Sequence, residues 1–140
     1  MSARFFLDTN IFVYAFDRDA KLKAAKANKL IREALASQAG VTSYQVVQEF
    51  FNVALRRFAS PMSGSDAENY LGTVFRPLIA VHSSLGLYSE ALRIQKERRL
   101  SWYDSLIVSA AVQARCDVLY TEDLQHGQSF GGVRVVNPFL

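Results

Sequence analysis

Phe5-Phe6-Leu7-Asp8-Thr9-Asn10 is the stretch that decides the fold. Three large apolar residues give way abruptly to three polar ones. A short apolar run bounded this way reads as a buried strand that ends and hands the chain to a helix. Ile11 to Phe16 supplies the helix. Near the other end, Val118-Leu119-Tyr120 runs into Thr121-Glu122-Asp123 in the same manner. Between the two, short apolar runs alternate with helical patterns. Helices are predicted at about Ala20–Ser37, from Tyr44 to about Phe58 behind a Ser43 cap, and from Ser63 or Ser65 to Phe75, before Pro77. Two more are predicted at Leu85–Arg98 and, behind a Ser101 cap, to about Arg115. Val41-Thr42, Leu78–Val81 and Val133–Val136 read as further strands. Strands alternating with helices predict α/β units and a mostly parallel sheet.

The chain has 140 residues, half of them apolar, enough for one domain with its own core. Pro61 and Pro77 mark turns within that domain, taken as residues 1–140. Sixteen Lys and Arg against thirteen Asp and Glu give a formal charge of +3, which permits a polyanionic partner without demanding one. A single cysteine, Cys116, excludes an internal disulfide framework. Two distant histidines, His82 and His126, argue against a His/Cys zinc site. No run of about 18 apolar residues occurs, and the N-terminus lacks a signal-peptide pattern. A soluble cytoplasmic protein away from the membrane is expected.

Four acids stand in unusual contexts. Asp8 follows the first strand directly, and Asp123 lies two residues past the Val118–Tyr120 strand. In open α/β sheets the carboxyl ends of strands are where ligands bind, although Asp there also serves as a helix cap or turn residue. Glu49 shares one helix face with Val46, Phe50 and Val53, and Asp104 with Ile107, Val108 and Ala111. A carboxylate on a buried face costs several kcal/mol unless paired or bound to a cation. An arginine such as Arg56 or Arg115 would answer one such acid. If all four converge, they require divalent cations to coexist ionised. Oxygen-only ligands select Mg²⁺ or Mn²⁺, and the chemistry that fits is metal-assisted hydrolysis of a phosphodiester. No Gly-x-Gly-x-x-Gly or phosphate-loop motif and no Ser/His/Asp constellation is evident. Asp8-Thr9 superficially suits an aspartate-nucleophile phosphatase, but such enzymes want a second Asp where Asn10 stands.

Four segments then carry a resemblance: Phe6-Leu7-Asp8-Thr9-Asn10, Gln48-Glu49-Phe50, Trp102-Tyr103-Asp104-Ser105-Leu106-Ile107 and Leu119-Tyr120-Thr121-Glu122-Asp123-Leu124. In this order they resemble a PIN-domain ribonuclease, most closely the VapC-type toxins of toxin–antitoxin pairs. The resemblance implies a three-layer α/β/α fold with a sheet of about four to five strands. It implies a metal-dependent endoribonuclease that inhibits growth, with Asp8, Glu49, Asp104 and Asp123 as the catalytic acids. Asp8 would be a direct ligand of Mg²⁺ or Mn²⁺, and Asp104 and Asp123 would be ligands directly or through water. Glu49 would position water, and Asn10 and Thr121 would support the acids by hydrogen bonds. Glu122 is the local rival of Asp123. The implied partners are an RNA substrate, a cognate antitoxin whose C-terminal segment blocks the acidic pocket, and a second copy in a homodimer. An RNA-processing PIN nuclease without a toxin role and a non-catalytic RNA-binding module are the alternatives.

Lys96, Arg98 and Arg99 precede Asp104 and are candidates for phosphate contact. Trp102 and Tyr103 suit base stacking, although an aromatic at a helix start more often packs. His126 is close enough to Asp123 in the chain to touch substrate. The basic run Lys21–Arg32 reads as a solvated helix face.

Overall fold

The structure, a computed structural model, describes residues 3–140. Its strands are β1 (Phe5–Leu7), β2 (Gly40–Ser43), β3 (Ile79–Val81), β4 (Val118–Tyr120), β5 (Ser129–Phe130) and β6 (Val133–Val136). They form one six-stranded sheet in the order β3-β2-β1-β4-β6-β5. All neighbours run parallel except β5 and β6, which are antiparallel. The helices are α1 (Thr9–Tyr14), α2 (Lys21–Ser37), α3 (Tyr44–Ala54), α4 (Gly64–Tyr70), α5 (Arg76–Leu78), α6 (Leu85–Arg98) and α7 (Trp102–Gln113). They flank the sheet and cover it. Phe6, Leu7 and Leu119 on the central strands are wholly buried, as a parallel sheet covered on both faces requires.

The strand order sets the position of the site. From β1 the chain builds outward through β2 and β3 on one side. It then returns to place β4 and β6 on the other. The sheet therefore reverses its order between β1 and β4, and the crevice beyond the carboxyl ends of strands at such a reversal is where open α/β sheets bind ligands. Asp8 and Asp123 follow the two strands that flank this point. The Asp8 amide also donates to the Tyr120 carbonyl at 3.1 Å, holding the two strand ends together.

An aromatic cluster fixes α1 against α3. Phe12 of α1 meets Phe75 at 4.8 Å between ring centroids and Phe50 of α3 at 6.4 Å. Tyr70 stacks on Phe50 at 5.2 Å and 18°. Pairs like these contribute about 0.5–1.5 kcal/mol each beyond the area they bury. Phe50 is the neighbour of Glu49, so this cluster sets where that acid lies relative to Thr9. On the other side of α2, close approach to the sheet requires glycine. A Cβ on Gly40 would stand 2.2 Å from the Ala34 Cβ.

Three elements depart from the sequence reading. Helix α3 stops at Ala54, short of Phe58, because the chain folds back and the Met62 amide takes the Ala54 carbonyl at 2.9 Å. The helix expected to stop before Pro77 instead passes through it. Leu71–Phe75 widens into a π-helical turn just upstream, where a proline ring would otherwise crowd the carbonyl four residues back. The sheet has one strand more than expected. Strand β5 is two residues long and joins β6 through Gly131 and Gly132, whose φ angles of +51° and +90° form the tight turn.

Candidate active site

Each acid is placed by a local device. β1 is followed directly by Asp8, which caps α1, its Oδ1 accepting the Thr9 amide at 2.7 Å. β2 ends in Ser43, whose hydroxyl caps α3 and so fixes the turn carrying Glu49. Ser101 caps α7 by accepting the Asp104 amide at 3.1 Å, which sets Asp104 in the first helical turn. Thr121, just past β4, orders the loop that carries Asp123. The four acids line one cavity of about 450 Å³, at the reversal point of the sheet.

The hydroxyl of Thr121 is the hub of this cavity. It donates to Asp8 Oδ2 at 2.8 Å and accepts from Asn10 Nδ2 and from the Asp123 amide, both at 3.1 Å. Its one donor and two lone pairs are thus all used. Asn10 Nδ2 also reaches Asp123 Oδ2 at 3.1 Å. Asn10 Oδ1 is buried with no hydrogen-bond partner among the described residues. Glu49 is held by one oxygen. Thr9 Oγ1 donates to its Oε1 at 2.8 Å and Gln45 Nε2 approaches the same atom at 3.4 Å. Gln45 carries no sequence signal of its own, Thr9 is marked only as part of the Asp8-Thr9-Asn10 segment, and only the folded chain brings the two to Glu49.

The electrostatics are those of a site short of positive charge. Asp8 is 4% exposed. Burial pushes its carboxyl up to about 7, against the lowering effect of its hydrogen bonds to Thr121 and Thr9. The nearby Asp123 and Glu49 carboxylates push it further the same way. Asp123 is also raised, first by burial and then by Asp104 and Glu122, while its bond from Asn10 opposes the shift. Among the described residues no Lys, Arg or His lies within 4.0 Å of Asp8, Glu49, Asp104 or Asp123. Neither Arg56 nor Arg115 answers them.

Glu122 differs. Tyr14 Oη donates to its Oε1, and Lys23 Nζ lies 3.2 Å from its Oε2. Lys23 also donates to Tyr14 Oη at 3.2 Å and sits over the Tyr14 ring. This lysine departs from the solvated basic face of α2, where Lys21, Lys26, Lys29 and Arg32 are exposed.

Among the described residues no three His, Cys, Asp or Glu side chains are drawn tightly enough together to grip an ion directly. The donor set nevertheless suits a hard cation. It is all oxygen, lacks a protein cation, and includes a buried carboxylate and an unpartnered amide oxygen. Mg²⁺ keeps several of its waters and needs only one or two carboxylates in direct contact.

A model of the PIN domain matches residues 5–128. The chain belongs to the PIN domain family. A search of curated proteins finds no match. Among solved structures, this PIN domain is similar to a chain of a toxin–antitoxin complex from Klebsiella pneumoniae, with a TM-score of 0.65, 20% identity and 98% of each chain covered. It is similar to a chain of VapBC2 from Rickettsia felis bound to a DNA fragment from their promoter, at TM-score 0.64, 18% identity and coverage of 94% of this chain and 96% of that one. It is also similar to VapC20 of Mycobacterium tuberculosis, a sarcin-ricin loop cleaving toxin, at TM-score 0.58 and 20% identity, covering 85% of this chain and 91% of that one. At these identities the likeness establishes a shared fold.

Of the other sequence candidates, Tyr103 lines the acidic cavity of this PIN domain, and the rest lie outside it. Lys96, Arg98 and Arg99 are exposed at the end of α6 and do not line it. The Arg98 guanidinium covers the Phe130 ring of β5 at 4.3 Å, and Arg99 terminates the helix in the left-handed conformation. Trp102 lines a neighbouring cavity. His126 accepts the Asn137 amide on Nδ1 at 3.0 Å, which ties it to the C-terminal segment. Cys116 is buried, and burial pushes its thiol up to about 11, which makes it inert packing. No helix among the described residues is long and apolar enough to cross a membrane.

Proposed function

We propose that this PIN domain is a Mg²⁺- or Mn²⁺-dependent endoribonuclease and the growth-inhibiting toxin of a toxin–antitoxin pair. The observation that carries the reading is the cavity at the β1/β4 reversal, lined by Asp8, Glu49, Asp104 and Asp123 with no cationic side chain among the described residues to neutralise them. Such a cavity is stable when filled by a divalent cation and hostile to an anion when empty. The toxin role and RNA as substrate are supported by the structural relatives, two of them in toxin–antitoxin complexes and one a sarcin-ricin loop cleaving toxin.

In this reading Asp8, Asp104 and Asp123 hold the cation. When bound, it supplies a water of lowered pKa and offsets the charge that develops on the phosphate and the leaving oxygen. Thr121 orients Asp8 and Asp123 together through its single hydroxyl. Thr9 fixes Glu49 by Oε1, which leaves Oε2 to orient the attacking water and accept its proton. Glu122 is kept from the cation by Tyr14 and Lys23. The chain would act in the cytoplasm as a homodimer, restrained by an antitoxin that covers the cavity.

The test is to express the chain with and without the small gene beside its own and to map the 5′ ends of cellular RNA. Growth arrest with discrete cleavage, relieved by the neighbour, is expected. Discrete cleavage without arrest would leave an RNA-processing nuclease. Arrest without cleavage would leave an RNA-binding module.

A further inference from the structure

Beside the acidic cavity lies a second one of about 250 Å³. Gln45 and Tyr103 line both. Gln45 Nε2 joins their walls, since it approaches Glu49 Oε1 and the Tyr103 carbonyl, each at 3.4 Å. The second cavity is aromatic. Four Phe or Tyr side chains stand exposed among the described residues, and three of them, Tyr44, Tyr88 and Tyr103, line this cavity. Tyr103 is 62% exposed. Trp102 and His82 complete the wall. The rings pair loosely and tilted: Tyr88 with Trp102 at 6.1 Å and 40°, Tyr44 with His82 at 5.9 Å and 49°. The exposed tyrosines therefore keep accessible ring surface.

The lining holds no Asp, Glu, Lys or Arg. A phosphate would call for lysine or arginine side chains, and the lining offers none. An uncharged heterocycle is what such a wall suits. Aromatic faces stack on unpaired bases, and amides and hydroxyls such as those of Gln48 and Ser83 hydrogen-bond to base edges. We propose that this cavity receives the unpaired nucleobase of the nucleotide next to the bond cut in the acidic cavity. The assignment to a nucleotide beside the cut rests on the ribonuclease reading above, whereas base binding itself does not. A base seated here must leave its stack, so the site selects single-stranded or looped RNA over a duplex.

Trp102 is the only tryptophan of the chain. Its indole N–H is thus a single NMR signal from the wall of this cavity. Titrating the wild-type chain with adenosine, guanosine, cytidine and uridine, with ribose as the control, tests base binding without any cleavage. At least one nucleoside is expected to shift the signal saturably while ribose leaves it in place. Tyr88→Ala should weaken that binding about tenfold and Tyr88→Phe should preserve it, both with unchanged circular dichroism. On a cleavable RNA, Tyr88→Ala should raise KM with kcat nearly unchanged. Equal shifts with ribose, or no shift with any nucleoside, overturn the proposal. So does a signal that moves on dilution of the protein alone, because a second copy then covers the aromatic wall. If wild type cuts no RNA yet binds nucleosides, the ribonuclease reading falls and base binding stands.

Discussion

Glu122 and Asp123 are adjacent in the chain and line the same cavity, yet they meet different partners. Glu122 is held by the Tyr14 hydroxyl and the Lys23 ammonium. Among the described residues the Asp123 carboxylate accepts a hydrogen bond only from the neutral Asn10 amide, and it is raised by burial and by nearby acids. Asp8 carries the contrast further, with its carboxyl pushed up to about 7 inside the core. An acid with a cation beside it has its charge settled within the protein. An acid without one keeps a demand for positive charge that something outside the protein must meet.

The largest expected effect comes from removing that demand. Asp8→Asn should lower metal-dependent RNA cleavage by about 10²–10⁴-fold, since a cation supplies several kcal/mol of charge stabilisation. Cleavage at the wild-type rate under the same metal conditions would place the chemistry elsewhere. Chelation with EDTA should likewise stop wild-type cleavage, and Mg²⁺ or Mn²⁺ should restore it.

Next comes stability against pH. Asp8 has a higher pKa folded, about 7, than its ordinary 3.8, so between these values the native state binds more protons than the unfolded one. The metal-free protein should therefore lose stability as pH rises from about 4 to 7, by at most about 4 kcal/mol from this group. Asp8→Asn should abolish that loss and make the metal-free variant the more stable protein above pH 7. Denaturant melts at pH 4.5 and 8 measure it, and parallel profiles for the two proteins would mean that Asp8 is not the strained group.

Thr121→Val should have a smaller effect. It removes the hydroxyl that serves Asp8, Asn10 and Asp123 and leaves buried polar atoms unmet, a loss of about 1–3 kcal/mol. Cleavage should fall about ten- to hundredfold through misplacement of the acids. Thr121→Ser, which keeps the hydroxyl, should retain most of it.

The smallest effect separates the neighbours. Glu122→Gln should change Tm by about 2 °C or less and leave cleavage within about twofold, because it disturbs only a partly exposed pair. Asp123→Asn should impair cleavage severely. Equal losses from both would erase the distinction.

That distinction was not legible in the sequence, and the reason is geometric. Tyr14 and Lys23 are 108 and 99 residues from Glu122, and no local pattern announces that α1 and α2 deliver them to it. Asp8 and the strand it follows were legible, because an apolar run broken by Asp-Thr-Asn carries its own meaning. The starts of α3 and α7 were legible too, since Ser43 and Ser101 cap them through their hydroxyls. The passage of the helix through Pro77 was not, because a π-helical turn is a tertiary accommodation. Nor was the placement of Arg98, which lies over Phe130 of a two-residue strand with no periodicity to betray it. Chain proximity to Asp104 says nothing about which side of α6 a basic side chain takes.

The central position of β1 and β4 has a consequence for the order in which the protein comes into being. As the chain is synthesised, Asp8 and Glu49 emerge early and Asp104 well after them, but Thr121 and Asp123 come later still. Until β4 slots in beside β1, Asp8 Oδ2 has no hydroxyl to meet and the cavity lacks a wall. A chain still being made, or truncated before residue 121, holds most of the acids without a site. The acidic cavity is assembled only once β1 has β4 beside it, two strands more than 100 residues apart in the chain.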